Sequence, residues 1–258
     1  MVLRTVTTVM SSFSPPRLGG AGDLPRGLAA DLAGSAKTDP LTARRRGRWN
    51  GGGYTLNMAF VIDETHLPAV LTVGPMSDEA FAQLCAEHPD LNLEMSAHGE
   101  LIIMPLTYTW TSARNNEISA QLRNWARQDK QGVAFDSSTG WLLPNSARRS
   151  PDAAWIFKQR IQELDPTTFS RFWPVCPNFV IELRSQTDKI RILREKMEEW
   201  LANGAQLAWL IDAEARTVEI YRPGHEADTR IGASSLTGEG PVAGFVLDLV
   251  PVWDPLAD

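Results

Sequence analysis

The chain has 258 residues, 43% hydrophobic and 22% charged, the balance of an ordinary globular protein with ample chain for a core. No apolar run approaches the roughly 20 residues of a membrane-crossing helix. Cys85 and Cys176 and four scattered histidines form no metal-ligand spacing, so a reduced, cytoplasmic setting is the default.

The formal charge of −6 is unevenly spread. Residues 1–57 hold eight Lys/Arg against three Asp, and the remainder 17 Lys/Arg against 28 Asp/Glu. Phosphate contacts dominate nucleic-acid affinity, so any such role needs a local basic groove or bound cations. Residues 1–57 also contain nine of the 19 glycines, Pro15-Pro16 and the run Arg44-Arg45-Arg46-Gly47-Arg48. No helical or strand period persists there, which argues for disorder. The segment reads as a basic arm touching DNA or as a spurious extension ahead of a translation start at Met58. The ordinary sequence that opens at Met58 favours the second reading, with 58–258 a single domain; a transit peptide fits the glycine clusters poorly.

Ser77, followed by Asp78 and Glu79, is read as the N-cap of a helix reaching about Glu87. Residues 91–95 and 100–104 flank Ala97-His98-Gly99 and read as a hairpin. Within it Glu94 points into a site or is a cross-strand surface charge. A helix over 112–128 places Ile118, Leu122, Trp125 and Ala126 at core spacing. Glu117 lies beside that stripe, able to reach a metal or to pair with Arg114 or Gln121. Residues 133–136 and 140–143 are expected to be strands. Arg148 and Arg149 follow, either gripping substrate phosphates or serving as exposed turn residues.

Two further strands carry the chemistry. The first spans 150–156 and contains Pro151-Asp152; the second, Pro177-Asn178-Phe179-Val180-Ile181-Glu182-Leu183-Arg184-Ser185, places Val180, Glu182 and Arg184 on one side. A carboxylate and a guanidinium in so apolar a strand are costly to bury unless paired or bound. Between them, 158–176 is an insertion whose Phe169, Phe172 and Trp173 pack on the core or stack on bases. A helix follows, capped by Thr187 or Asp188, with Ile190, Leu193, Met197, Trp200 and Leu201 as its apolar stripe and Asn203-Gly204 as its stop. Lys196 sits at the stripe's edge, either reaching back toward Glu182 or snorkelling to solvent. Strands over 206–212 and 217–221 and an apolar stretch over 244–253 close the chain.

Pro-Asp followed about thirty residues later by Glu-x-Arg is close to a short motif that is weak alone, but the order of elements adds to it. Helix, three strands, helix, strand is an αβββαβ series that resembles the core of the PD-(D/E)XK nuclease superfamily. Within that group the chain resembles the Uma-two family of restriction-endonuclease-like proteins. The stretches carrying the likeness are 99–105, Arg149-Ser150-Pro151-Asp152-Ala153, Phe179-Val180-Ile181-Glu182-Leu183-Arg184-Ser185, and 195–212.

The resemblance implies an α/β fold: a restriction-endonuclease-like core with a central mixed sheet flanked by helices, plus an added N-terminal helix and hairpin and C-terminal strands. It implies cleavage of DNA with Mg²⁺ or Mn²⁺ held by Asp152, Glu182 and the Leu183 carbonyl, with Glu117 as a further candidate ligand. The family's closing lysine falls on Arg184, which stays protonated and cannot act as a base, so Lys196 is the candidate displaced catalytic lysine. Arg184 can still clamp a phosphate. A homodimer would suit cutting of two strands. The competing expectation is a catalytically impaired fold that binds nucleic acid or a protein partner.

Overall fold

The computed structural model describes residues 3–13, 42–49, 54–63, 67–168 and 171–257, and the chain divides into two compact units. The first comprises 1–69 and 77–90. In it β1 (Leu3–Phe13), β2 (Thr42–Trp49) and β3 (Tyr54–Asp63) form an antiparallel sheet with β3 in the middle. Over these strands the expected disorder gives way to paired backbone. Residues 14–41 and 50–53, to which the same expectation applied, lie outside the described residues. β1 is rich in Thr and Val, which suit strands, yet its partner is far along the chain, with Thr8 opposite Met58. A short-range period cannot reveal such a pairing. The same unit holds α1 (Asp78–Glu87), where Ser77 caps the helix by accepting the Ala80 N–H at 3.2 Å.

The second unit, 70–76 and 91–258, is built on two larger sheets and a two-stranded one. β4 (Ala69–Thr72), β5 (Asn92–Met95) and β6 (Glu100–Met104) belong to the smaller of the larger two. The β5–β6 hairpin turns at Gly99, whose φ is 77° and where a Cβ would come within 2.6 Å of the Gly74 carbonyl carbon. Next come α2 (Thr109–Asp129), β7 (Gly132–Asp136), β8 (Trp141–Leu142) and β9 (Arg148–Arg149). β8 and β9 complete the smaller sheet in the order β4-β6-β5-β9-β8. α2 begins ahead of its expected start at 112 and buries Ile118, Leu122 and Ala126.

β10 (Ala153–Phe157), the short α3 (Lys158–Gln162) and β11 (Phe179–Leu183) follow, then α4 (Ile190–Ala202), β12 (Leu207–Asp212), β13 (Thr217–Tyr221) and β14 (Asp228–Ile231). The main sheet runs β14-β13-β12-β11-β10-β7, antiparallel except for the β11–β12 pair. That single parallel pair needs a crossover, and α4 supplies it. β15 (Ser235–Thr237), β16 (Val246–Asp248) and α5 (Val250–Trp253) end the chain.

Strands buried on both faces read as continuous apolar runs, and β11 and β12 are buried at every position. One face packs Trp155, Phe179, Ile181 and Trp209 with α2 and the C-terminal elements; the other packs Ala154, Val180 and Leu210 with Met197 and Trp200 of α4. Trp173 from the insertion meets Phe135 and Trp141 edge-on, with ring centroids 5.6 and 6.0 Å apart, so its aromatic face is spent on packing. Phe169 lies outside the described residues. The expected cap of α4 differs: Asp188 turns back to accept from the Ser185 N–H and hydroxyl at 2.8 and 2.7 Å, and Lys189 holds the cap position. Among the described residues no helix is long and apolar enough to cross a membrane.

Candidate active site

Antiparallel pairing of β10 with β11 sets Ala153 opposite Ile181, so Asp152, one residue before the paired segment, lies across from Glu182. Both border one cleft, Asp152 meeting α2 and Glu182 meeting α4. Glu182 is 3% exposed. Its carboxylate accepts the Trp200 indole N–H at 2.8 Å and pairs with the Lys196 ammonium, which lies 2.9 Å from Oε1 and 3.1 Å from Oε2. The helical spacing of Lys196 and Trp200 puts both on the side of α4 that faces the sheet. Of the two roles open to Lys196, the structure displays the reach toward Glu182.

The same ammonium pairs with Glu94 Oε1 at 2.9 Å and donates to the Ser150 carbonyl at 3.1 Å. Glu94, on β5 of the smaller sheet, is buried and also accepts from the Ser150 N–H and from Arg149, at 2.9 and 3.1 Å. Arg149 pairs in addition with Glu199 of α4 at 2.5 Å. Asp152 accepts the Leu183 N–H at 2.7 Å and the Asn115 amide of α2 at 2.6 Å. Two sheets and two helices therefore meet at one cluster, with a cleft of about 120 Å³ beside Glu94, Asn115, Asp152, Glu182 and Lys196.

Four carboxyl groups, on Glu94, Asp152, Glu182 and Glu199, share two cations, Arg149 and Lys196. Burial raises the pKa of Asp152, outweighing the Leu183 N–H, Lys196 and Asn115. Burial also raises that of Glu182, outweighing Lys196, while the charges of Asp152 and Glu94 push it further up. Glu94 shifts the other way: burial opposes its charge, but Lys196 and Arg149 together hold it below the usual carboxylate range. Burial likewise opposes the charge of Lys196, and Glu182 and Glu94 overcome it, keeping the ammonium protonated.

Other residues singled out by sequence stand elsewhere. Arg184 turns to Asp212 at 2.6 Å, so the residue in the family's lysine position is engaged outside this cluster. Glu117 accepts from Gln121 at 2.9 Å, the helix-surface alternative, and is not among the residues bordering the cleft. Arg148 is buried, donating to the Met76 carbonyl at 2.9 Å and to the Met95 sulfur at 3.2 Å. With Arg149 bound by two carboxylates, neither arginine stands as an exposed phosphate grip. Leu183 meets this site through its amide, donated to Asp152. Asn115 and Glu199 carried no signal in the sequence, since an amide or an acid on a polar helix is usually a surface residue.

A hard divalent cation can be tested against this donor set. Among the described residues no group of three or more His, Cys, Asp and Glu side chains is arranged to hold a metal. Mg²⁺ is nevertheless commonly bound through one or two carboxylates plus substrate oxygens and water, without a full protein cage. The excess of buried carboxyls fits a cation, as does the Asn115 carbonyl oxygen, a buried acceptor with no hydrogen-bond partner. The donors are oxygens throughout, the set that suits Mg²⁺ or Mn²⁺.

Residues 78–249, more than half of the chain, match a family model described as "Uma2: Putative restriction endonuclease". Among solved structures, one from Anabaena variabilis ATCC 29413, described as a "putative nuclease belonging to DUF820", superposes with a TM-score of 0.59 at 20% identity. The match covers 71% of this chain and 100% of that one. At that identity the likeness establishes the fold, a mixed α/β nuclease-like architecture with a central mixed sheet. No curated protein matches the chain.

Proposed function

The chain belongs to the Uma2 family, described as "Putative restriction endonuclease", and from that premise we propose that it hydrolyses phosphodiester bonds in DNA with Mg²⁺ or Mn²⁺ as cofactor. The observation that supports this reading is that Asp152 and Glu182 border one cleft, with the Lys196 ammonium about 3 Å from Glu182.

Asp152 and Glu182 are the residues to hold the cation. Its Lewis acidity eases deprotonation of water and polarises a phosphoryl oxygen. The chain's own groups do the rest. Leu183 N–H and the Asn115 amide orient Asp152 through two hydrogen bonds. The Trp200 indole and Lys196 fix Glu182 from the helix side. Lys196 stays charged at neutral pH and so offsets negative charge on the phosphate instead of taking a proton. Arg184, held by Asp212, braces the end of β11. A homodimer would present two such sites to a duplex.

The test is incubation of the full chain with supercoiled plasmid in Mg²⁺, in Mn²⁺ and in chelator, beside Asp152→Asn. Nicking that needs the metal and disappears in the variant, with DNA binding retained, is the expected result. Binding without cutting under every metal would select the impaired binding module instead.

A further inference from the structure

Three clefts adjoin one another along α2. The one at the acidic cluster shares Thr107, Asn115 and Ser137 with a larger cleft of about 660 Å³, lying between α2 and β7 with the turn that follows it. Its helix side is a stripe of small polar residues, Ser112, Asn115, Asn116 and Ser119, ending at Arg123. The spacing of three and four keeps them on one face. The larger cleft in turn shares Arg123 and Ala134 with a third, of about 390 Å³, whose border includes Arg123, Arg127, Lys130 and Lys158 and no acid. All four cations are exposed. Lys158 donates to the Lys130 carbonyl at 2.7 Å, and none of the four has a carboxylate partner among the described residues. In a chain of net charge −6 such a cluster is a local exception.

We infer that this row of clefts is the track of one DNA strand, running from the bond cut at Asp152 and Glu182, over the polar stripe of α2, to a phosphate anchor formed by Arg123, Arg127, Lys130 and Lys158. The inference rests on the nuclease reading for its starting point. Hydroxyls and amides suit contact with sugar and phosphate without reading sequence, and small side chains let a backbone lie close to the helix. The unpaired cations supply the salt-dependent attraction. They stand where Arg148 and Arg149 do not: both of those arginines are drawn inward, and the charge that meets substrate comes from the far end of α2. From Asn115 to Lys130 the helix rises roughly 22 Å at about 1.5 Å per residue. At about 3.4 Å per phosphate along one strand, that is a path of about six phosphates.

The test uses the full chain carrying Asp152→Asn in chelator, with fluorescein-labelled single-stranded DNA as probe and anisotropy as readout. Replacing Arg127, Lys130 and Lys158 together by Gln should reduce the slope of log affinity against log salt by about 2, near 0.7 per lost contact. The unaltered protein should lose the same part of the slope on oligonucleotides too short to span the path. Melting temperature of the variant is followed alongside. An unchanged slope in a variant that stays folded overturns the track, even if plasmid is still cut. A reduced slope in a protein that cuts nothing keeps the track and removes the nuclease reading. Loss of both binding and cutting in the unaltered protein removes both.

Discussion

Asp152 is held by two donors and ringed by more acid than base, so its negative charge works against the fold of the metal-free protein. Because burial raises its pKa, the folded state holds the proton more tightly than the unfolded one. Ionisation at neutral pH therefore costs stability, and stability is regained as pH falls through the raised value. Asp152→Asn removes that cost. The Asn115 amide can turn so that its unpartnered oxygen accepts from the new side chain. In chelator the variant should melt several degrees above the parent, a gain of about 1–2 kcal/mol of the kind seen when a functional strain is relieved, while plasmid cutting is lost. A lower melting temperature would mean that the carboxylate is part of what holds β10 to β11. The same residues show what sequence can disclose at this scale. Asp152, Glu182 and Lys196 were legible because each stands in a recognisable stretch. Glu94, which sequence left between a site and a surface charge, is placed by the structure at the centre of the cluster.

Elements are tied together by polar contacts as well as by the two apolar layers. Arg194 of α4 donates its Nε to both carboxylate oxygens of Glu219 of β13, at 3.1 and 3.0 Å, and its Nη2 to Oε1 at 2.5 Å, and the Tyr221 hydroxyl donates to the same carboxylate at 2.6 Å. The Arg194 hydrogen bond is the chief reason that Glu219 lies below its ordinary value of 4.5. A depressed carboxylate stabilises the fold fully above the ordinary value, and the contribution is lost as pH falls through the depressed one. Arg194 is half exposed, so solvent screening limits the pair to about 1 kcal/mol or less. Arg194→Ala should therefore lower the urea midpoint at pH 7 and leave little difference near pH 3. A gap that persists at pH 3 would assign the effect to packing of the arginine stem on the sheet. Sequence pattern located both elements, because their apolar periods are local. The contact itself joins residues on separate elements and left no trace in either.

At the scale of the molecule, the Cys176 thiol reports how tightly the second unit is closed. Cys176 is buried, and burial pushes its pKa up to about 12, against the Arg160 charge and the Ala205 N–H. So little thiolate exists at pH 8 that the residue should react with a disulfide reagent only when the structure opens. In a Cys85→Ser background, labelling of Cys176 should follow the global unfolding rate and become fast in denaturant. Rapid labelling of the native protein would show that the insertion containing it opens by itself.

The αβββαβ order, the apolar faces of α2 and α4 and the positions of Asp152, Glu182 and Lys196 could all be read from the chain alone, because helix and strand periods are short-range and the diagnostic stretches are contiguous. Tertiary structure decided which charges meet. Arg149 went to Glu94 and Glu199, Arg184 went to Asp212, and Asn115 went to Asp152. It also paired β1 with β3 across a glycine-rich stretch that offers no local period. A buried charge must find its partner wherever the fold brings one within about 3 Å, and that requirement acts through space, leaving neighbouring residues unmarked.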